Sequence, residues 1–304
     1  MNKLFALILP LSLMIQGCAQ VQKNALPQMS YIPEGQFQMG DTYNEGNTDE
    51  LPVHKVFVSA FYIGTYNVTY ELFDSIRKWG INNNYQFDIS GETAGPNHPV
   101  NFITWWNAVK FCNARSEKEG LTPVYYIDTA QTQIYRSGEP DLADKMVRWS
   151  ANGYRLPTEA EWEKSARGGR IGHHSPWPSL GGKWSDFTKS EVANYIDSDN
   201  PYQKNKNNTT PNGYFKPNSY GIYDMCGNVW EWVWDRYSAT WYSQPGSSQA
   251  NTHGPVSGFV PGNRVIRGGG CDDPASQLRC SFRYSTTPSY KDVDGGFRCV
   301  RQSL

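Results

Sequence analysis

The first candidate chemistry in the chain lies between Pro217 and Asp235, in the segment PNSYGIYDMCGNVWEWVWD. Its carboxylates Asp224 and Glu231 flank Gly227 and Asn228, turn residues that take positive φ or bond their own backbone. Carboxylates next to exposed turn carbonyls are the oxygen donors that a hard cation such as Ca²⁺ needs. The alternative is that the aromatics here are core and the acids bond nearby amides. A second oxygen-rich stretch, NYIDSDN from Asn194 to Asn200, places Asp197 and Asp199 at alternate positions like the start of a Ca²⁺ loop. Pro201 and the lack of an acid at the twelfth place argue against an EF-hand.

Thiols are the second group. Cys18 follows a basic Asn2-Lys3 start and an apolar run from Leu4 to Ile15, too short to span a bilayer. The small residue Gly17 directly before it resembles a bacterial lipobox, with cleavage before Cys18 and lipid added to it; the alternative is an ordinary secretory cut after Gly17 or Ala19. Residues 1–17 are thus expected to be a leader and 18–28 a tether. Ala19 resembles outer-membrane sorting, so the expected location is the periplasmic face or the cell surface. Export makes Cys112, Cys226, Cys271, Cys280 and Cys299 candidates for disulfides, and their odd number leaves at least one thiol over or bonded to another molecule. The histidines His54, His98, His173, His174 and His253 form no HxxxH or HxxE pattern, and His54 and His98 read as structural hydrogen-bonders.

Composition limits the possible classes. The 304 residues carry a net charge of -1 with no long run of either sign, which argues against nucleic acid as a partner. Low hydrophobic content (38%), high aromatic content (14%), 28 Gly and 19 Pro indicate a loop-rich fold packed around large rings. No nucleophile elbow, H-E-x-x-H or P-loop is present, so hydrolase chemistry has no support.

The elements that must position these groups follow from periodicity. Met29 to Phe61 alternates around turns and predicts short antiparallel strands, with an acidic polar loop from Glu45 to Glu50. Thr69 caps a helix with Tyr70, Phe73 and Ile76 on its apolar side. Thr104 caps another that buries Trp105, Ala108, Val109, Cys112 and Ser116 and stops at Gly120. Thr122 to Trp149 reads as a hairpin-like insertion with YYI, QIY and VRW as strands. Thr158 and Glu161 form a capping box, flanked by Arg155 and Arg167, whose ion pairs, if superficial, contribute under about 1 kcal/mol. Ile171 to Tyr214 shows no periodicity. Trp230, Trp232 and Trp234 alternate as on a strand with two distinct faces. Arg267, Arg279, Arg283 and Arg298 recur among short strands, which predicts guanidiniums buried against aromatics or carboxylates. With no repeat or linker, the chain reads as one domain from Met29 to Leu304.

Taken together, GQFQMG, PVHKV, FYIGTYNVTYELF, HPVNFITWWNAVKFC, GYRLPTEAEWEKSARGG, PNSYGIYDMCGNVWEW, RVIRGGG and GGFRCV resemble the formylglycine-generating enzyme/sulfatase-modifying factor family. The resemblance implies an α+β fold: one irregular, loop-rich, C-type-lectin-like domain with short antiparallel strands, a few helices and structural calcium. One implied calcium set is Asp224, the carbonyls of Gly227 and Val229, and Glu231. The other begins at Asn194 and the carbonyl of Tyr195 and ends on an acid matched only loosely, to Asp197 or Asp199. The resemblance also implies a Cys112–Cys299 disulfide, which would close a loop of roughly 190 residues and add at most about 5 kcal/mol. The family partner of Cys280 falls at Ala166.

Family members that make formylglycine from a cysteine use O₂ and Cu(I) held by two thiolates, ligands that this soft ion favours. The matching positions here are Asp273 and Leu278, after Gly270 in place of a serine. Copper, or iron as in other branches, is therefore expected only if an altered ligand set exists; Cys271, Cys280 and Asp273 are its candidates, with Cys271 and Cys280 either a displaced thiolate pair, a local disulfide or two buried thiols. The favoured expectation is an anchored recognition or assembly module with a protein or peptide partner in a pocket formed by Trp230, Gly270, Asp272, Arg279 and Arg283. The alternative is an extracytoplasmic O₂-dependent oxidase.

Overall fold

The computed structural model describes residues 28–169, 193–196, 198, 201–202, 208–256 and 262–303. Residues 1–27 with Cys18, and also His173, His174, Asp197 and Asp199, lie outside the described residues.

The N-terminal strands form where alternation predicts them: β1 (Met29–Ile32), β2 (Gly35–Met39), β3 (His54–Val58) and β4 (Phe61–Gly64). β2 and β3 pair as an antiparallel ribbon, while β4 lies between β1 and the last strand, β9 (Val300–Gln302). The acidic loop between β2 and β3 carries a short 3-10 turn, Thr48–Glu50, and buries Asp49 and Glu50 instead of exposing them. Thr69 accepts from the Leu72 amide and starts α1 (Tyr70–Ile81); Thr104 does the same for α2 (Trp105–Lys118) through Asn107. The Thr158/Glu161 capping box starts α3 (Glu159–Ala166), which ends before Gly168 and Gly169, both at positive φ. No helix among the described residues is long and apolar enough to cross a membrane.

The tryptophan-rich stretch is β5 (Trp230–Arg236), an inner strand of the sheet ordered β7-β6-β5-β8, with β6 at Arg264–Arg267, β7 at Tyr284–Thr286 and β8 at Gly295–Gly296. Both of its faces are buried, so its alternation separates two cores. Trp230, Trp232 and Trp234 pack with Trp105, Phe111, Tyr125 and Phe297, whereas Val233 packs with Trp162, Tyr242 and Val265. The indoles are bonded as well as packed: Trp105 Nε1 donates to the Val233 carbonyl at 3.0 Å, and Trp232 Nε1 to the Ile103 carbonyl at 2.8 Å. His54 and His98 are hydrogen-bonders as expected, through Nδ1 to the Pro52 carbonyl and to Thr209 Oγ1.

Two expectations need correction. Thr122 to Trp149 forms no regular hairpin: Tyr125 bridges Val147 and Tyr126 bridges Ile134, but no strand extends from either bridge. Asn113 takes over the work of a ladder there, accepting from the Val124 and Tyr125 amides and donating to the Tyr125 and Tyr135 carbonyls. The pairs made by Arg155 and Arg167 are not superficial. Arg155 holds Glu161 through two bonds of 2.6 Å, and Arg167 bonds Glu163, whose side chain is fully buried.

The C-terminal arginines form the same kind of contact, as expected. Arg298 clasps Glu231, Arg283 clasps Glu159, Arg279 clasps Glu50, and Arg267 reaches Glu163. Removing one partner of such a pair leaves an uncompensated buried charge. Glu159→Gln is expected to cost about 3–5 kcal/mol, read as a lower urea midpoint, while Lys78→Ala, at the surface pair with Asp74, should leave the midpoint almost unchanged; equal midpoints for Glu159→Gln and wild type would refute the assignment.

Candidate functional site around Trp230

The loop after β6 and the turn before β8 meet at the start of β5. Parallel pairing of Trp230 with Gly295 sets Asp294 beside the Trp230 backbone, whose amide donates to the Asp294 carbonyl at 2.6 Å. On the other side, Gly270 N donates to Asp273 Oδ2 at 2.8 Å, and the Trp230 indole bonds the same carboxylate. Oxygen atoms of Asp272, Asp273 and Asp294 consequently lie within 4.8 Å of one another. Gly270 makes room for this group, because a Cβ there would come within 1.8 Å of Asp294 Oδ2.

Burial first, and then the bond to Asp272, pushes the Asp294 carboxyl up to about 9, so it is protonated at neutral pH. Burial also raises Asp273, despite the Gly270 amide. Burial and the charges of Asp294 and Asp272 push the Cys271 thiol far above its usual range, which keeps it neutral. Around the acids stand Phe282 and Tyr284, with centroids 6.0 and 5.6 Å from Trp230. Trp230 is covered, but Tyr284 is 54% exposed and Phe282, Asp272 and Asp273 are half-buried.

Several expected site residues fall elsewhere. Arg279 and Arg283 are buried on Glu50 and Glu159, so they do not line an open pocket. Cys280 does not converge with Cys271; its neighbour is Cys226, and Cys271 lies among the aspartates. Cavities of about 500 and 400 Å³ open away from Trp230, one beside Tyr66, Asn67 and Arg115, the other beside Trp241, His253 and Arg264. Cys112 and Cys299 do meet, with sulfurs 3.6 Å apart as thiols. The sequence reading missed Asp294, which stands 21 positions after Asp273 and enters the site only through β8.

The oxygen donors expected to hold a hard cation are unequal. Glu231 Oε1 accepts from Asn67 and Arg298, and Oε2 from Trp162 and Arg298, which fills its lone pairs and neutralises it. Asp224 differs: among the described residues it has no ion pair, it accepts from the Gly213 amide at 3.0 Å, and burial pushes it up to about 6. The Gly227 carbonyl accepts within its own turn from the Val229 amide. Asn194 joins the same loop, its carbonyl accepting from Asn228 N, whereas the Tyr195 carbonyl takes both the amide and the hydroxyl of Ser198. Asp224 fits a cation; Glu231 and Tyr195 in this arrangement do not. For Cu(I) the group around Trp230 does not fit, because three hard carboxylates and one neutral thiol stand where two thiolates would be needed.

The chain belongs to the sulfatase-modifying factor enzyme 1-like domain family, whose model matches residues 16–303. It is 33% identical over 271 residues to the chaperone protein LppX of Paenibacillus barcinonensis, covering 81% of each chain. It is 30% identical to the formylglycine-generating enzyme of Streptomyces coelicolor, covering 90% of this chain and 88% of the relative. Among solved structures it resembles Treponema denticola variable protein 1 (TM-score 0.68, 29% identity, 90% of this chain and 95% of that one) and CarF (TM-score 0.69, 27% identity, 91% and 98%). The single mixed domain, with strands and three described helices, matches this family fold.

A carboxyl raised on folding favours the native state below its ordinary value and loses that contribution as pH rises through its folded value. For Asp294 the loss spans pH about 4 to about 9. The melting temperature of the wild type should therefore fall more steeply between pH 6 and 9 than that of Asp294→Asn; parallel profiles would contradict the assignment.

Proposed function

We propose that this protein is an exported recognition or assembly module, anchored through lipid on Cys18, with the outer membrane as its favoured location, and that the surface around Trp230 receives a protein or peptide segment. The observation that carries this reading is the donor set of that surface. Asp273 and Leu278 stand at the positions that match the thiolates of the family's copper enzymes, and Asp273 groups with Asp272 and Asp294 against aromatic rings. Such a surface attracts cationic side chains through its half-buried carboxylates Asp272 and Asp273 and through ring faces, and three carboxyl groups with one neutral thiol suit Cu(I) poorly. The similarity to a protein named as a chaperone, LppX, supports the same direction. The similarity to formylglycine-generating enzymes supports the oxidase alternative at the level of family. The residues at the site do not supply its metal. No described histidine belongs to the acid group at Trp230.

A Cu(I) competition titration, run alongside O₂ uptake with a cysteine-containing peptide, separates the two. The expected outcome is no stoichiometric copper binding and no uptake; tight one-to-one binding with turnover would establish the oxidase instead. On a peptide array, segments rich in Lys and Arg should bind over acidic ones, and Asp272→Asn or Tyr284→Ala should weaken that binding several-fold. An array without that charge preference would remove the recognition site from Trp230.

We propose also that Ca²⁺ is held at the Asp224 turn, with Asp224 as the carboxylate that carries the charge, the Gly227 and Val229 carbonyls beside it, and Glu231 retained by Arg298. Added Ca²⁺ should raise the melting temperature of the wild type by a few degrees and that of Asp224→Asn not at all. An unshifted wild type would count against the site.

A further inference from the structure

Five cysteines of the domain are buried, and the structure sorts four of them into two neighbouring pairs. We propose that Cys226 and Cys280 are joined by a disulfide in the exported protein, tying the Asp224 turn to the far end of the loop that carries Asp272 and Asp273.

The geometry favours this partner from several directions. Cys226 Sγ donates to the Leu278 carbonyl at 2.8 Å, two residues before Cys280, and burial together with the neighbouring Cys280 thiol pushes the Cys226 thiol well above its usual range. Cys226 is 2% exposed and Cys280 fully covered. The backbones around them are already fixed. Gly227 N donates to the Gly268 carbonyl at 2.9 Å, and the Cys280 carbonyl accepts from Arg267 Nη2 at 2.8 Å. Cys226 also shares a small apolar cluster with Leu278, Ala193 and Tyr195. A disulfide needs sulfurs about 2.05 Å apart, so the bridge forms by bringing the Cys280 sulfur to Cys226 beside the Leu278 carbonyl. Ala166, the position where the resemblance would place the partner of Cys280, has no sulfur to compete.

The chemistry balances as an exchange. One thiolate attacks the disulfide of a thiol oxidoreductase in the oxidising compartment and forms a mixed disulfide. The second thiolate displaces the oxidoreductase, which leaves as a dithiol carrying the two electrons, with the two protons released by the cysteines. Since both sulfurs are covered in the finished fold, the exchange takes place before the loop closes over them. The Gly268–Cys280 loop is then held at both ends, by the β6 strand before it and by the bridge after it. Its two aspartates are positioned without any regular structure of their own beyond the short turn Ala275–Leu278. The proposal rests on the export assigned above and not on what the Trp230 surface binds.

The test is a disulfide map of the full chain, produced with its own leader, denatured in the presence of excess N-ethylmaleimide so that buried free thiols are trapped, and digested without reductant. The expected result is two linked fragment pairs, Cys226 with Cys280 and Cys112 with Cys299. Both pairs alkylated would overturn export, and this bridge with it. Cys112–Cys299 linked with Cys226 and Cys280 alkylated, or Cys280 linked to Cys271, would overturn the bridge alone. A variant series adds a readout that does not depend on mapping. Cys226→Ala and Cys280→Ala should each lower the melting temperature by roughly 5 °C or more, and the double variant should fall no further; additive losses would mean two separate packing defects and no bond.

Discussion

The structure depends on the burial of guanidinium groups against carboxylates. Little of this chain is in regular elements, so ladders of backbone bonds do not hold its loops, and arginine forks do so instead. Arg298 holds both oxygens of Glu231 and also donates to the carbonyls of Gly64, Tyr223 and Asp224. Arg283 joins Glu159 to the carbonyls of Asp49 and Ser238, and Arg264 joins those of Trp234 and Leu142 while lying 3.9 Å over the Trp105 ring. Each fork ties segments that are far apart in sequence. Desolvating an ion pair is costly, and the cost is offset only when nearly every donor and acceptor is filled.

The same constraint explains why the candidate site is where it is. Glu231 belongs to the network, so it anchors the floor of β5 and does not face a ligand. One residue back along the strand, Trp230 points the other way, into the region where the loop from Gly268 and the turn through Asp294 arrive. There carboxyls gather without any guanidinium among them, and the structure answers by keeping a proton on Asp294. The contrast between the filled pair at Glu231 and the acid group at Trp230 is the main chemical asymmetry of the domain.

Where sequence reasoning held, the cause was local. Thr69, Thr104 and Thr158 cap helices because a threonine oxygen reaches an amide three residues on, whatever the rest of the chain does. Where it failed, the cause was a partner far away. Arg279 and Arg283 look like pocket residues from their place in a polar loop, yet Glu50 and Glu159 reach them across 229 and 124 positions. The segment from Thr122 to Trp149 carries strand-like triplets, but scattered backbone bonds and the Asn113 side chain, rather than a regular ladder, satisfy its backbone groups.

By itself the sequence determined the family, the single domain, the caps, the Trp-rich strand, the burial of the C-terminal arginines and the lack of cysteine at both matched copper positions. These are properties of residue type and short-range spacing. Tertiary structure alone decided which carboxylate each arginine takes, that Cys226 rather than Cys271 stands beside Cys280, and that Asp294 completes the acid group at Trp230. Those outcomes depend on distances of a few ångströms between segments tens to hundreds of residues apart. Hydrogen bonds and charge–charge contacts are decided at that range, and no pattern within a single segment encodes it.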